Sequence, residues 1–424
     1  MRSVSEHLSA VLAAARPVAP LDVVLADAEG CILAEDVVAP ADVPAWDVAG
    51  HDGYAVRCED LRALGRGQGV SLPVVHDATV TSRAPLRLVD GTAILVAAGA
   101  PLPLGADAVV PLEATDRGRA TVLVRQAVAA GDHVRRAGQD AAAGRVLLDE
   151  GTRLGPRQLA VAAAVGRGRL RVHPAPRVVI VTVGDELVEP GRRAAAGAVH
   201  DVDGPALAAA VTETGASAVR VGPVGDDRAT LREVLSDQLV RADLLILTGG
   251  LSGGPWDTVV DVLAPLGTVR FDQVAMTPGH RQGFGTVRAE DERDERALGS
   301  GASVAPDASG VPVFALPGHP VAALVSFEAF VRPALRAMAG HADLFRPSLR
   351  ARVTVPWTSP AGRRQFVPAN LTGSPAEGYL VSPVGDPSRV SVWALAEANA
   401  LAVVGEEVTE VRAGDEVACL VLEV

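Results

Sequence analysis

Val178-Val179-Ile180-Val181-Thr182-Val183 runs directly into Gly184-Asp185-Glu186. A continuous, β-branched and mostly apolar run leaves no polar face, so it predicts a strand buried on both sides, as the strands of a parallel sheet are. A second run of the same kind, Leu244-Leu245-Ile246-Leu247, enters Thr248-Gly249-Gly250-Leu251-Ser252-Gly253-Gly254. Between them the pattern gives a helix at 205–214, a strand at 218–221 and a helix at 228–240 with Leu231, Val234, Leu235 and Leu239 on one face. A helix at 257–263, strands at 269–274, near 284–287 and at 313–316, and a helix at 321–338 continue the alternation. Strands and helices alternating over about 160 residues predict a doubly wound, mostly parallel α/β domain.

Outward from that unit the rhythm changes. Ser3 with Glu6 three residues on predicts a capping box, Val11, Leu12 and Ala15 continue a helical stripe, and Pro17 and Pro20 end it. Short alternating runs broken by Gly and Pro then predict a small β-rich domain over 43–137. A helix ending near Val165 and a strand at 170–173 lead to the linker at Pro174 and Pro176. The expected division is an N-terminal linking domain from 1–42 and 138–174, the β-rich domain at 43–137, the α/β domain at 175–338 and a C-terminal β-barrel at 339–424. The barrel rests on strands at 349–355, 366–371, 380–384, 400–404 and 417–424, with Ala413-Gly414-Asp415 turning the last hairpin. The charged stretch at 288–296 and the Gly/Ser/Ala stretch to 310 read as a solvated, flexible hairpin tip and not as a metal site.

Composition narrows the chemistry. The chain has 424 residues, 48% of them hydrophobic, and a net charge of −12, enough to bury several cores and too acidic for nucleic-acid backbones to be the main partner. All 39 basic residues are Arg, which excludes a Schiff-base lysine, a P-loop lysine and a lysine-rich tail. A phosphate grip must therefore come from Arg, His, backbone N–H groups or a metal. Cys31, Cys58 and Cys419 have no paired spacing, so neither a disulfide framework nor a cysteine-rich zinc site is expected. With no signal layout and no apolar run long enough for a membrane span, the expectation is a cytoplasmic protein with a small ligand, and no nucleic acid or membrane as partner.

In an open parallel sheet, ligands sit beyond the carboxyl ends of the strands. Four such ends stand out: Gly184-Asp185-Glu186, the loop Gly249 to Gly254 with Asp257, the turn Thr277-Pro278-Gly279-His280-Arg281, and Leu316-Pro317-Gly318-His319-Pro320. Glycines there serve either as plain turns or as backbone N–H cradles for an oxyanion. Glu186, Asp226 and Asp257 follow different strands and, if they converge, can hold a Mg²⁺ ion bridging substrate phosphates. Each is equally readable as a helix cap or a solvated loop acid, Asp257 above all because it precedes a helix.

The segment Asp42-Val43-Pro44 with Asp52-Gly53-Tyr54-Ala55-Val56-Arg57 is, alone, a tight turn before a strand. Joined to Gly99-Ala100-Pro101-Leu102-Pro103, Gly105-Ala106-Asp107-Ala108-Val109-Val110, Arg135-Arg136-Ala137-Gly138-Gln139-Asp140 and the strand-end motifs, it resembles the molybdopterin molybdenumtransferases of the MoeA/gephyrin E-domain family over almost the whole chain. The resemblance implies Mg²⁺-dependent insertion of molybdate into adenylylated molybdopterin, with hydrolysis of the pyrophosphate bond and release of AMP. It also implies a homodimer in which the β-rich domain of one subunit contributes to the α/β site of the other, and a molybdopterin adenylyltransferase as upstream partner.

By the same resemblance, Glu186, Asp226 and Asp257 are the acids and metal ligands of the α/β site, and Asp52 and Asp140 are acids of the partner-facing cleft. Gly249, Gly250, Ser252, Gly279, His280, Arg281, Pro317, His319, Pro320 and Ser388 are the substrate-binding positions. Departures from the family pattern are His51 for Met, Ala98 for Thr, Thr277-Pro278-Gly279-His280-Arg281 for Lys-Pro-Gly-Lys-Pro, His319 for Asn, and His200-Asp201-Val202-Asp203 for Tyr-Asp-Thr/Ser-Asn. The expectation is a transferase in which His280, Arg281 and His319 replace the lysine charge. Its alternative is a catalytically impaired paralogue that binds molybdopterin or a nucleotide as carrier or regulator.

Overall fold

The structure, a computed structural model, describes residues 1–66, 69–82, 84–266, 268–288, 310–389 and 391–422. Its contacts form two compact units, one of Met1–Leu21, Gly30–Ala34 and Arg171–Val424, the other of Asp22–Glu29 and Glu35–Leu170.

In the first unit, the α/β region contains β1 (Arg177–Val183), α1 (Asp203–Glu213), β2 (Ser217–Val224), α2 (Arg228–Leu239), β3 (Leu244–Thr248), α3 (Thr258–Leu263), β4 (Arg270–Gln273), β5 (Arg281–Val287), β6 (Val311–Leu316) and α4 (Pro320–Ser326). The sheet order is β2-β1-β3-β6-β5-β4. The first four strands are parallel, and β5 and β4 are antiparallel additions at one edge. Burial on both faces, with a period of two, explains why 178–181 of β1 and 244–247 of β3 are apolar at every position. Val178, Ile180, Leu244 and Ile246 point to one core with Leu207 and Val211 of α1. Val179, Val181, Leu245 and Leu247 point to the other, with Leu231 and Leu235 of α2 and Val259 of α3. The chain leaves β1 through α1 to reach β2 on one side, then returns through α2 to β3 on the other. The order therefore reverses between β1 and β3, which opens a crevice at their carboxyl ends.

The N-terminal helix Val4–Ala14 has the expected capping box, with Ser3 Oγ accepting from Glu6 N at 3.1 Å and Glu6 accepting from Ser3 N at 2.8 Å. The helix expected at 321–338 is instead three segments: α4, a π-helical stretch Phe327–Val331 and a helix Arg332–Met338. Pro333 lacks the N–H that the turn before it would use, and Ser326 Oγ donates back to Ala322 O at 2.6 Å, so the ladder widens there. The hairpin tip expected between β5 and β6 lies, over 289–309, outside the described residues.

The C-terminal region closes into a barrel of β7 (Ser348–Val353), β8 (Arg364–Ser374), β9 (Gly378–Pro383), β10 (Ala400–Val404) and β11 (Glu416–Val421). Pairing runs β8-β9-β7-β11-β10 and returns from β10 to β8. Ala351, Ala369, Ala400 and Ala402 line its core because five strands leave a narrow interior. The last hairpin is β10 with β11, and Glu410–Val411 before Ala413 pairs instead with Trp357–Thr358. The short strand Met276–Thr277 pairs in parallel with Arg364 and Gln365 of β8, which fixes the turn that follows it.

The second unit contains a five-stranded sheet in the order Ala108–Pro111, Gly53–Val56, Ala93–Val96, Val70–Ala78, Thr121–Val124. Gly53 is required there, since a Cβ would run into Val110 O of the neighbouring strand. The three cysteines are free thiols, and among the described residues no helix is long and apolar enough to cross a membrane.

Ile246 is fully buried at the middle of β3. Ile246→Ala is expected to lower unfolding free energy by about 2–5 kcal/mol in denaturant titration, the usual cost of such a cavity.

Candidate functional site

The four strand-end motifs meet at the crevice. Gly249 has φ 92°, and a Cβ on it would collide with Val183 O, so glycine alone lets the end of β3 close on the end of β1. A Cβ on Gly318 would lie 3.1 Å from Gly249 Cα, which brings the Pro317 to Pro320 turn onto the same point. Gly253 accommodates the Arg281 guanidinium, and Gly279 (φ 88°) sits against Ser326 of α4. Gln282 Nε2 fixes the Gly279 turn by donating to Gly279 O at 2.6 Å and Ser326 Oγ at 2.7 Å. Pro320 occupies the first turn of α4, where a missing N–H costs nothing. His319 precedes it, exposed and without a side-chain cap.

The acids divide by task. Asp257 stands at the N-cap position of α3 without capping it. Its Oδ1 accepts from Ser252 N and Ser252 Oγ, both at 2.7 Å, and its Oδ2 from Gly253 N at 2.7 Å, so it staples the glycine loop. Burial pushes its carboxyl up, but the hydrogen bonds from Ser252 and Gly253 and the Arg281 charge outweigh that and hold it below the usual range. Asp227, not Asp226, caps α2, accepting from Thr230 N at 2.7 Å. Asp226 accepts from Asp185 N at 3.2 Å while Asp185 accepts from Asp226 N at 3.0 Å. That reciprocal pair ties the first strand-end motif to the loop before α2. Glu186 is exposed, and its carboxylate has no hydrogen-bond or ion-pair partner among the described residues. Among the described residues, no three His, Cys, Asp or Glu side chains gather as a metal cage.

The cationic side is Arg281, whose Nη1 lies 4.0 Å from Asp257 Oδ2. His280 does not supply the lysine charge expected of it: burial, then the Arg363 and Arg281 charges, pulls its imidazole below the usual value and toward neutrality. Arg363, just before β8 and absent from the sequence-based site, is one of the two cationic charges that act on His280. Gln365, opposite Thr277 in the ladder, accepts from Trp357 Nε1 at 3.1 Å and donates to Pro387 O at 3.3 Å. Ser388, the next residue, turns its N–H and hydroxyl onto Asp386 Oδ1.

A cavity of about 240 Å³ lies at the switch point, lined by Glu186, Asp201, Asp203, Thr248, Gly249 and Gly318 among others. Thr182 and Thr248 end the two apolar runs as register partners, both buried. Thr182 donates to Asp201 Oδ2 at 3.1 Å, and the Thr248 hydroxyl lies near enough to Asp203 to ease its carboxyl downward. Asp201 is fully engaged, also accepting from Gly204 N at 2.9 Å and Arg220 Nη2 at 3.3 Å. Asp203 is only 6% exposed, and its Oδ1 has no partner. Burial raises its carboxyl from the ordinary 3.8 to about 7, with the Thr248 hydrogen bond opposing and the Asp201 charge adding. Sequence reasoning noted 200–203 as a departure but did not make it part of the site. The available signal was the single threonine near the end of each otherwise apolar run, since a buried hydroxyl needs a polar partner.

Asp52 and Asp140 belong to the second unit. Asp52 Oδ1 accepts from Ala98 N at 2.7 Å, and Asp140 pairs with Arg135. His51 packs edge-on against His133 with ring centroids 4.7 Å apart.

Known proteins give the same order of regions. Residues 2–166 match the MoeA N-terminal region (domain I and II), 179–337 the probable molybdopterin binding domain, and 350–422 the MoeA C-terminal region (domain IV). Molybdopterin molybdenumtransferase 2 of Mycobacterium tuberculosis (strain ATCC 25618 / H37Rv) is 39% identical over 422 residues, 98% of either chain. Molybdopterin molybdenumtransferase 1 of the same strain is 38% identical over 434 residues, 98% of this chain and 97% of that one. The crystal structure of a molybdopterin biosynthesis MoeA protein from Pyrococcus horikosii superposes with a TM-score of 0.81 at 29% identity, covering 99% of both chains.

Two outcomes follow from the geometry. A folded-state value near 7 against 3.8 means that the Asp203 contribution is complete below pH 4, is lost as pH rises toward 7, and is level beyond. Asp203→Asn has no such proton, so its gain in thermal midpoint over the parent should be larger at pH 8 than at pH 5, by the equivalent of up to about 3 kcal/mol. Asp257→Ala should speed amide hydrogen exchange at Ser252 and Gly253 about tenfold or more, because both N–H groups lose a charged acceptor.

Proposed function

The chain belongs to the MoeA family of molybdopterin molybdenumtransferases and is a transferase of molybdenum cofactor biosynthesis; from that premise we propose that it inserts molybdate into adenylylated molybdopterin, with Mg²⁺-dependent hydrolysis of the pyrophosphate bond and release of AMP. The convergence of four strand-end loops on one switch point carries this reading. The Arg281 guanidinium suits the oxyanions, and Asp257, which accepts from the N–H groups of Ser252 and Gly253, keeps the glycine loop in place beside it.

Mg²⁺ usually takes one or two carboxylates and completes its shell with substrate phosphates and water. Glu186, with no partner, and Asp226, which spends one oxygen on Asp185 N–H, fit such a partial shell; Asp257, already committed to the loop, fits it less well. When bound there, the ion would neutralise charge on the phosphoryl oxygens. In the hydrolysis, water adds to phosphorus, the bridging P–O bond breaks and AMP leaves, while Arg281 and the loop hold the oxygens in position. Homodimeric assembly with Asp52 and Asp140 as cleft acids, supply of substrate by a molybdopterin adenylyltransferase, and residence in the cytoplasm belong to the same proposal.

Purified chain given adenylylated molybdopterin should release AMP only with both Mg²⁺ and molybdate present. Binding without AMP release would instead identify a carrier, and absence of binding would end the reading. Arg281→Ala should weaken molybdate-dependent AMP release at least tenfold. His280→Lys should hold or raise molybdate affinity above pH 7, where the imidazole it replaces is neutral; a large loss would mean that His280 acts through shape.

A further inference from the structure

The second unit holds a pair of imidazoles that the chemistry of the crevice does not use. The short strands Val48–Ala49 and Val134–Arg135 pair antiparallel, with Ala49 opposite Val134. One residue further out, Gly50 N donates to His133 O at 2.7 Å, and a Cβ on Gly50 would lie only 2.9 Å from that oxygen, so glycine lets the two segments approach this closely. His51 follows directly, and its ring meets that of His133 with centroids 4.7 Å and planes 81° apart. The turn that carries His133 is anchored by its backbone, with Gly131 N donating to Asp107 O at 2.7 Å, Val109 N to Asp132 O at 3.1 Å and Val134 N to Gly131 O at 3.2 Å. Those bonds hold His133 at φ 57°, a left-handed conformation uncommon outside glycine.

Both residues are exposed, and among the described residues no ring nitrogen of either has a hydrogen-bond or ion-pair partner. Elsewhere imidazoles are engaged, His173 Nδ1 with Val18 O at 2.9 Å and His200 Nε2 with Arg192 O at 3.0 Å. Each member of the pair is also next in the chain to an acid that has committed one oxygen, Asp52 to Ala98 N and Asp132 to Ala129 N. Neighbouring negative charge favours a cation.

We propose that His51 and His133 together bind one transition-metal dication of the zinc class, each through one imidazole nitrogen, with water completing its shell. Zinc–nitrogen bonds of about 2.0–2.1 Å in a tetrahedral shell put two ligating ring centroids about 5 Å apart. The observed 4.7 Å is within a small side-chain rotation of that. Neutral imidazole suits Zn²⁺ and its neighbours, whereas Mg²⁺ takes oxygen ligands and keeps its water, so this pair selects against the ion that Glu186 and Asp226 suit. Two protein nitrogens are fewer than the four ligands of a structural zinc site, which leaves coordination positions open one residue from Asp52. His51 stands where the family pattern has Met, so the pair is a feature of this chain, and its reading does not rest on that of the crevice.

Zinc sulfate titrated calorimetrically into the full, metal-free chain, with Mg²⁺ in large excess throughout, tests this against His51→Met and His133→Asn. Asparagine is chosen because it tolerates the left-handed backbone. The parent should bind one equivalent of zinc that each variant weakens at least tenfold. Zinc should also raise the thermal midpoint of the parent and not that of either variant. The metal-free chains should melt together, since both rings are exposed. His51→Gln keeps a polar side chain at the surface and reads the same loss should either first variant melt below the parent. Equal zinc affinity in the parent and the His51 variants would overturn the proposal, as would a site lost in only one of the two positions. Absence of zinc binding by the parent, or displacement of the zinc by Mg²⁺, would overturn it as well.

Discussion

The close approach of Gly249 to Val183 O is the constraint on which the strand ends depend. Any side chain there would push the end of β3 away from β1 and displace the Pro317 to Pro320 turn that rests on the same glycine. Two strands buried on both faces bring it about. Because β1 and β3 are apolar on alternating sides, the helices packed on each face hold them in register to their last residues. The switch point is then rigid where the ligand crevice opens, and the loops beyond it inherit their positions from backbone packing, with few side-chain contacts needed.

Within that frame the charges separate. Asp257 ties down the glycine loop and is itself neutralised by its N–H donors and Arg281, leaving Glu186 and Asp226 as carboxylates with unused capacity. The buried acids Asp201 and Asp203 border the same cavity as Glu186, one satisfied and one with an unpaired oxygen.

The parts of the fold set by periodicity were legible in the sequence. The runs at 178–183 and 244–247, the glycines after them and the Ser3–Glu6 cap each carry a local signal that packing did not overrule. The helix at 321–338 was legible in extent but not in form, since the widening before Pro333 depends on Ser326 turning back to Ala322. Of the site, the carboxylates and loops could be identified, but not what each acid touches. Asp257 lies where a helix cap belongs and binds the preceding loop instead, while Asp227 does the capping at α2. Arg363 was invisible because its partner, His280, lies some eighty residues earlier in the chain and meets it only through the pairing of Met276–Thr277 with β8.

The absence of lysine has its sharpest consequence in that same turn. Replacing Lys by Arg elsewhere preserves charge at the cost of a different geometry. At Thr277 and His280 it does not, because one side chain is neutral and the other is pressed toward neutrality by burial and two neighbouring guanidiniums. The cationic charges that act on the imidazole are those of Arg363 and Arg281. A guanidinium presents a planar fork of donors and a weaker hold on water than an ammonium, which favours oxygens presented in a fixed plane. On the proposed reading, molybdate would meet directional donors there in place of mobile point charges, and the turn geometry that Gln282 fixes at Gly279 would matter more than net charge.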